Sequence, residues 1–137
     1  MLVQKKGKVF TFEGCPETAK IASNNFNLLS VKNTELLVGP FENMLHDILR
    51  NLEKLDFVFF DGNHNLKPTL TYFEQCLNMA HEKSVFVFDD IHWSKNMERA
   101  WSQIKAHPKV TISIDLFEMG LVFFRKEQKK QDFVLKY

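Results

Sequence analysis

The chain predicts an α/β fold with a mostly parallel sheet, and three observations carry that reading. Short apolar runs alternate with amphipathic stretches along nearly the whole sequence. Two of the runs, Phe57–Phe60 and Ser84–Phe88, stop at carboxylates, Asp61 and Asp89-Asp90. The last two runs are separated by too few residues for a crossover and so predict an antiparallel pair.

In chain order, Lys8–Phe12 reads as a strand that ends at Glu13-Gly14. A helix opens at Cys15-Pro16-Glu17, where proline suits the first turn and Glu17 the positive end of the dipole. Ala19, Ala22 and Phe26 share one side of it. Glu35–Val38 is the next strand, followed by a helix over Phe41–Leu52 with Phe41, Leu45, Ile48 and Leu52 on one stripe. Phe57–Phe60, four bulky β-formers, predicts a strand buried on both faces. Pro68 opens a helix reaching about His81, Ser84–Phe88 is a strand, and Ser94 caps a helix to about Lys105. Val110, Ile112, Ile114 and Leu116 alternate with polar residues, the period of a half-buried strand. Leu121–Phe124 is the last strand, with Gly120 marking a hairpin or bulge. The order is β-α-β-α-β-α-β-α-β-β, expected as a single domain over 1–137 with tails at 1–7 and 126–137.

Bulk properties exclude several partners. With 18 Lys+Arg against 17 Asp+Glu, the net charge is +1, which makes no electrostatic case for nucleic acid or an acidic membrane. The basic cluster at Arg125–Lys130 reads as a solvated tail. No apolar run approaches the ~20 residues that span a bilayer, and the N-terminus lacks a signal-peptide core. Cys15 and Cys76 have no metal or redox spacing, and a reduced, cytoplasmic setting fits them.

In open α/β sheets ligands bind outside the carboxyl ends of strands, which directs attention to four places. Glu13 suits the two hydroxyls of a ribose, or faces solvent in a loop. Gly39 lets a ligand ring lie against backbone, or is a turn residue. Asp61-Gly62-Asn63-His64 reads as a ligand rim with His64 as a base, or as a turn with His64 a bystander. Its likeness to a two-metal phosphoesterase element lacks the other ligands that chemistry needs. Asp89-Asp90, with Asp61, could offer oxygen ligands to Mg²⁺ or Ca²⁺, or cap a helix and face solvent. A receiver domain carries its paired acids before the lone Asp, the reverse of this order. Trp93 lines a pocket or packs in the core.

Taken together, FEGCPETAKIASNNF, FFDGNH, FDDIHWS and IDLFEMGLVFFR resemble class I methyltransferases that use S-adenosylmethionine, in a bacterial branch of small O-methyltransferase-like proteins. The resemblance runs from about Lys8 to Tyr137. It implies a Rossmann-like sheet in which Glu13 and Gly14 meet the donor's ribose and the Gly39-Pro40-Phe41 turn lies by the adenine. Asp61 would sit near the methionine end. In catechol-type relatives acids matching Asp61, Asp89 and Asp90 hold a divalent cation such as Mg²⁺, the last usually being Asn. A lysine serves as base there, and His64 occupies roughly its position.

The sequence departs from the family in one respect. Its five glycines stand at 7, 14, 39, 62 and 120, with no Gly-x-Gly turn. The first strand and helix of the family are therefore expected to be missing. The strand at Val9–Phe12 would then pair directly with Phe57–Phe60, or the exposed central edges would be covered by a second copy in a homodimer. Two functions follow: methyl transfer to a small-molecule hydroxyl or amine acceptor, or a non-catalytic truncated module unable to bind the donor.

Overall fold

The computed structural model describes residues 7–136, so all but the last residue of the expected 1–7 tail lies outside the described residues. The chain divides into two compact units, 1–50 and 51–137.

In the first unit β1 (Val9–Glu13) and β2 (Thr34–Val38) pair in parallel, from Val9 opposite Thr34 to Glu13 opposite Val38. The Gly39 N–H donates to the Glu13 carbonyl at 3.0 Å, carrying the ladder past the strand ends. Between the strands runs α1 (Pro16–Leu28), with Pro16 in the first turn and Ala19 buried. No glycine ends α1; Ser30 takes the left-handed conformation instead, at φ 53°. The following helix, α2 (Phe41–Arg50), buries Leu45 and Leu49 and stops before Leu52. Phe12 and Phe41 stack with centroids 5.2 Å apart, tying the end of β1 to the start of α2.

The second unit holds a five-stranded sheet of order β3-β4-β6-β5-β7. Strand β3 (Leu55–Phe60) pairs in parallel with β4 (Ala80–Asp89). The antiparallel β6 (Met119–Phe123) lies between β4 and β5 (Ile112–Asp115). The fold is thus the expected α/β arrangement, mostly parallel with a terminal antiparallel hairpin. The two helices are α3 (Leu66–Leu77) and α4 (Lys95–Ala106). Thr69 of α3 meets Met97 of α4, and Phe73 and Trp101 both pack on Phe88, so both helices cover the same sheet face.

Several details differ from expectation. Strand β3 is not buried on both faces: Phe57 and Phe59 are 43% and 48% exposed, because both helices of this unit lie on the opposite face. The same asymmetry reverses β5, whose buried residues are Ser113 and Asp115 rather than the isoleucines. Helix α3 starts at Leu66, with Pro68 in a first turn whose N–H groups need no partner. Strand β4 starts four residues early, at Ala80. Buried Ser84 donates to the Leu55 carbonyl (2.6 Å) and accepts the His81 N–H (2.8 Å), absorbing a register shift there. Residues 126–137 are not all tail: Gln131–Val134 form β7, parallel to β5. Lys130 Nζ anchors that segment on the carbonyls of His107 and Val110, both at 3.2 Å. Among the described residues β1 pairs with β2 in the first unit and β3 with β4 in the second. No described helix is long and apolar enough to cross a membrane.

Gly120 is not the hairpin's turn residue. Phe117 is, at φ 70°. Gly120 instead makes room for Trp101, whose ring atoms would stand 2.6–2.8 Å from an added Cβ. Gly120→Ala is therefore expected to lower unfolding free energy by about 1–3 kcal/mol. Gly14→Ala, which meets nothing within 4 Å, should stay within about 0.5 kcal/mol. Paired urea titrations check both.

Candidate active site

Strands β3, β4, β5 and β7 all point one way, so the segments after β3, β4 and β5 share one rim of the second unit. A non-glycine residue takes a left-handed conformation after each of those three strands: Asn63 (φ 49°), Asp90 (φ 54°) and Phe117 (φ 70°). Such residues cost energy and persist only where neighbours hold them.

The rim brings together three of the expected residues. His64 Nε2 lies 3.6 Å from Asp61 Oδ1, and His64 Nδ1 lies 3.4 Å from Asp90 Oδ2. Nδ1 is buried without a hydrogen bond, so Asp90 is an ion-pair neighbour rather than a bonded one. A proton taken up by this imidazole would have a carboxylate on either side. Asp89, in the last position of β4 opposite Met119, is not part of that contact.

The expected cation set does not form. Among the described residues no three His, Cys, Asp or Glu side chains are grouped to hold a metal ion. The ring of His64 lies between Asp61 and Asp90.

A second histidine cluster was not anticipated from the sequence. Buried Asp115 accepts hydrogen bonds from Trp101 Nε1 (2.9 Å) and the Phe117 N–H (3.0 Å), and pairs with His92 Nε2 at 3.0 Å. His92 stacks on Phe117 at 5.4 Å, and its Nδ1 lies 3.7 Å from Glu98. Burial alone would push the Asp115 carboxyl up. The hydrogen bonds from Phe117, His92 and Trp101, with the charge of His92, outweigh it and hold the group below its ordinary 3.8. Trp93, by contrast, is 75% exposed and not in the core. Burial pushes the Cys76 thiol up to about 12, so that sulfur is inert.

In the first unit the tips of β1 and β2 carry the other expected residues. Glu13 Oε1 accepts the Cys15 N–H at 2.8 Å, while Oε2 has no partner among the described residues. Gly14 is exposed, with open space where a Cβ would be. Gly39 adopts φ 143°, a conformation side chains rarely take, and leads through Pro40 into Phe41.

Two concavities lie elsewhere. One of about 620 Å³ lies beside Lys83, Val85, Phe123 and Arg125, at the opposite end of the sheet from the rim. The other, of about 510 Å³, lies beside Leu66, Leu70, Glu74 and Gln103 on the outer helices.

Parallel strands that carry acids at their carboxyl ends, closed by an antiparallel hairpin, define a Rossmann-like methyltransferase fold. The chain belongs to the methyltransferase-domain family, whose profile matches residues 1–91. Solved structures with the same fold include an O-methyltransferase from Bacillus cereus in complex with SAH, at 20% identity and TM-score 0.71, covering 88% of this chain and 64% of that one. The O-methyltransferase TomG from Streptomyces achromogenes, in complex with SAM, matches at 20% identity and TM-score 0.69, over 90% and 64%. An SAH-bound methyltransferase from Podospora anserina matches at 15% and 0.70, over 87% and 61%. The chain thus spans less than two thirds of these neighbours' length. By sequence it matches none of the curated proteins.

Asp115 makes acid stability testable. Its folded pKa lies below the unfolded value of about 3.9, so it contributes stability above that value, lost as pH falls through the folded pKa. Asp115→Asn should cost about 1–3 kcal/mol at pH 7 and flatten the decline below about pH 4. Denaturant midpoints across that range measure it.

Proposed function

We propose that the chain transfers the methyl group of S-adenosylmethionine to a small hydroxyl or amine acceptor. The observation that carries this reading is the paired tips of β1 and β2, where the Gly39 N–H bonds the Glu13 carbonyl and sets carboxylate and glycine turn side by side. With one oxygen held by Cys15, Glu13 presents Oε2 to ribose hydroxyls. Gly14 leaves room for the sugar, and Gly39-Pro40-Phe41 offers backbone and a ring face to adenine. The donor's sulfonium supplies an electrophilic methyl carbon. As the acceptor oxygen or nitrogen bonds to that carbon, the carbon–sulfur bond breaks and its electron pair stays on sulfur. His64 takes the proton the acceptor loses, and Asp61 and Asp90 balance the imidazolium. The inert Cys76 and unpaired Cys15 suit a reducing cytoplasm.

One observation favours a second reading, a non-catalytic module: the sequence holds no Gly-x-Gly turn for the donor's methionyl part. Calorimetry with S-adenosylhomocysteine separates the two. Saturable binding, weakened about tenfold or more by Glu13→Ala, supports the transferase; no heat at millimolar ligand leaves the module. His64→Ala should then cut turnover by about 10²–10⁴-fold while leaving donor affinity within about twofold.

A further inference from the structure

We propose that β7 is a dimerisation strand, joined antiparallel to the β7 of a second copy of this chain. Among the described residues β7 has one neighbour, β5, and its outer edge is open. All four of its residues are exposed, and Phe133, Val134 and Leu135 are 43%, 66% and 50% accessible. Natural edges are blunted by proline, a bulge or an outward lysine. Here 131–136 contains no proline, Lys130 turns inward to the carbonyls of His107 and Val110, and the two edge charges, Asp132 and Lys136, are of opposite sign.

Backbone and charge select the same register. The N–H groups of Gln131 and Leu135 point at β5, donating to Thr111 and Asp115, both at 2.9 Å. By alternation the N–H and C=O groups of Asp132, Val134 and Lys136 point at the open edge. A two-fold axis at Val134 sets Val134 against Val134 and Asp132 against Lys136, both as hydrogen-bonded pairs. Phe133 then faces Leu135 across the strands, on the other sheet face. Each end of the symmetric ladder gains an opposite-charge pair. Shifting the axis to Phe133 would set Lys130 against Lys136, and shifting it to Asp132 would oppose the two aspartates. Ser113 donates to Asp132 from β5, orienting the carboxylate from behind. The product is one sheet continuous through both copies.

Sedimentation velocity on the full chain, from about 1 to about 100 µM, should show a concentration-dependent dimer. Val134→Pro removes an outward N–H that no ladder within the chain uses, and should leave only monomer. Lys136→Glu turns both charge pairs repulsive without touching the β5–β7 ladder, and should weaken self-association about tenfold. In a Cys15→Ser background, Phe133→Cys with Leu135→Cys should cross-link on mild oxidation, because non-hydrogen-bonded pairs stand about 4.5 Å apart at Cα with their side chains close, within disulfide reach. A monomer at about 100 µM overturns the proposal. So does a dimer that is indifferent to both Val134→Pro and Lys136→Glu, or one that fails to cross-link.

Discussion

The rim of the second unit depends on how β4 is held. Phe86 and Phe88 of that strand are completely buried, and aromatic rings grip them from several elements. Phe60 of β3 stacks flat on Phe88, with centroids 4.5 Å apart and ring planes within 4°. Phe73 of α3 meets both at its edge, and Phe124 closes on Phe86 at 4.8 Å. Rings of this size carry most of a small core's apolar burial and allow few arrangements. Their contact fixes β3 against β4 with Phe60 opposite Phe88, so the chain leaves both strands at the same level. That is why His64, four residues past Phe60, reaches Asp90, two residues past Phe88. A cavity at Phe88 would loosen the core and the spacing of the rim together.

The rim is built from two histidines, each held by carboxylates, with different surroundings. His64 sits between partly exposed acids at distances longer than hydrogen bonds. His92 is packed against Phe117 and bonded to an acid that also holds Trp101 and the hairpin backbone. Asp115 thus joins α4, the β5–β6 turn and the segment after β4. The left-handed residues after β3, β4 and β5 belong to the same economy. Local strain is tolerated at the one rim where side chains must be aimed.

Much of this was legible in the sequence, for reasons tied to particular residues. Apolar runs ending in Asp61 and Asp89 revealed parallel strands and their functional ends, because a buried strand must stop where polar residues begin. Ser94 marked its helix because a hydroxyl before an amphipathic run caps free N–H groups, and it does accept the Met97 N–H. Periodicity could not show which face of β5 is covered: it favoured the isoleucines, while the buried residues are Ser113 and Asp115, with Trp101 of α4 on Asp115. Strand β7 was hidden because QDFV follows a run of lysines and is stabilised by distant partners, Ser113 and the carbonyls at the end of α4. The Asp115–His92 pair joins residues 23 positions apart and leaves no local signature. The histidine that lies between Asp61 and Asp90 is a relation visible only in three dimensions.

The proposed seat of the donor's nucleoside is the paired tips of β1 and β2. Backbone amide mapping by NMR during titration with S-adenosylhomocysteine tests this most directly. The expected result is a progressive shift of the Glu13, Gly14, Gly39 and Phe41 amides, with little change at Lys83–Val85 or Arg125–Gln128. Shifts confined to those last two segments, at the opposite end of the sheet, would contradict it.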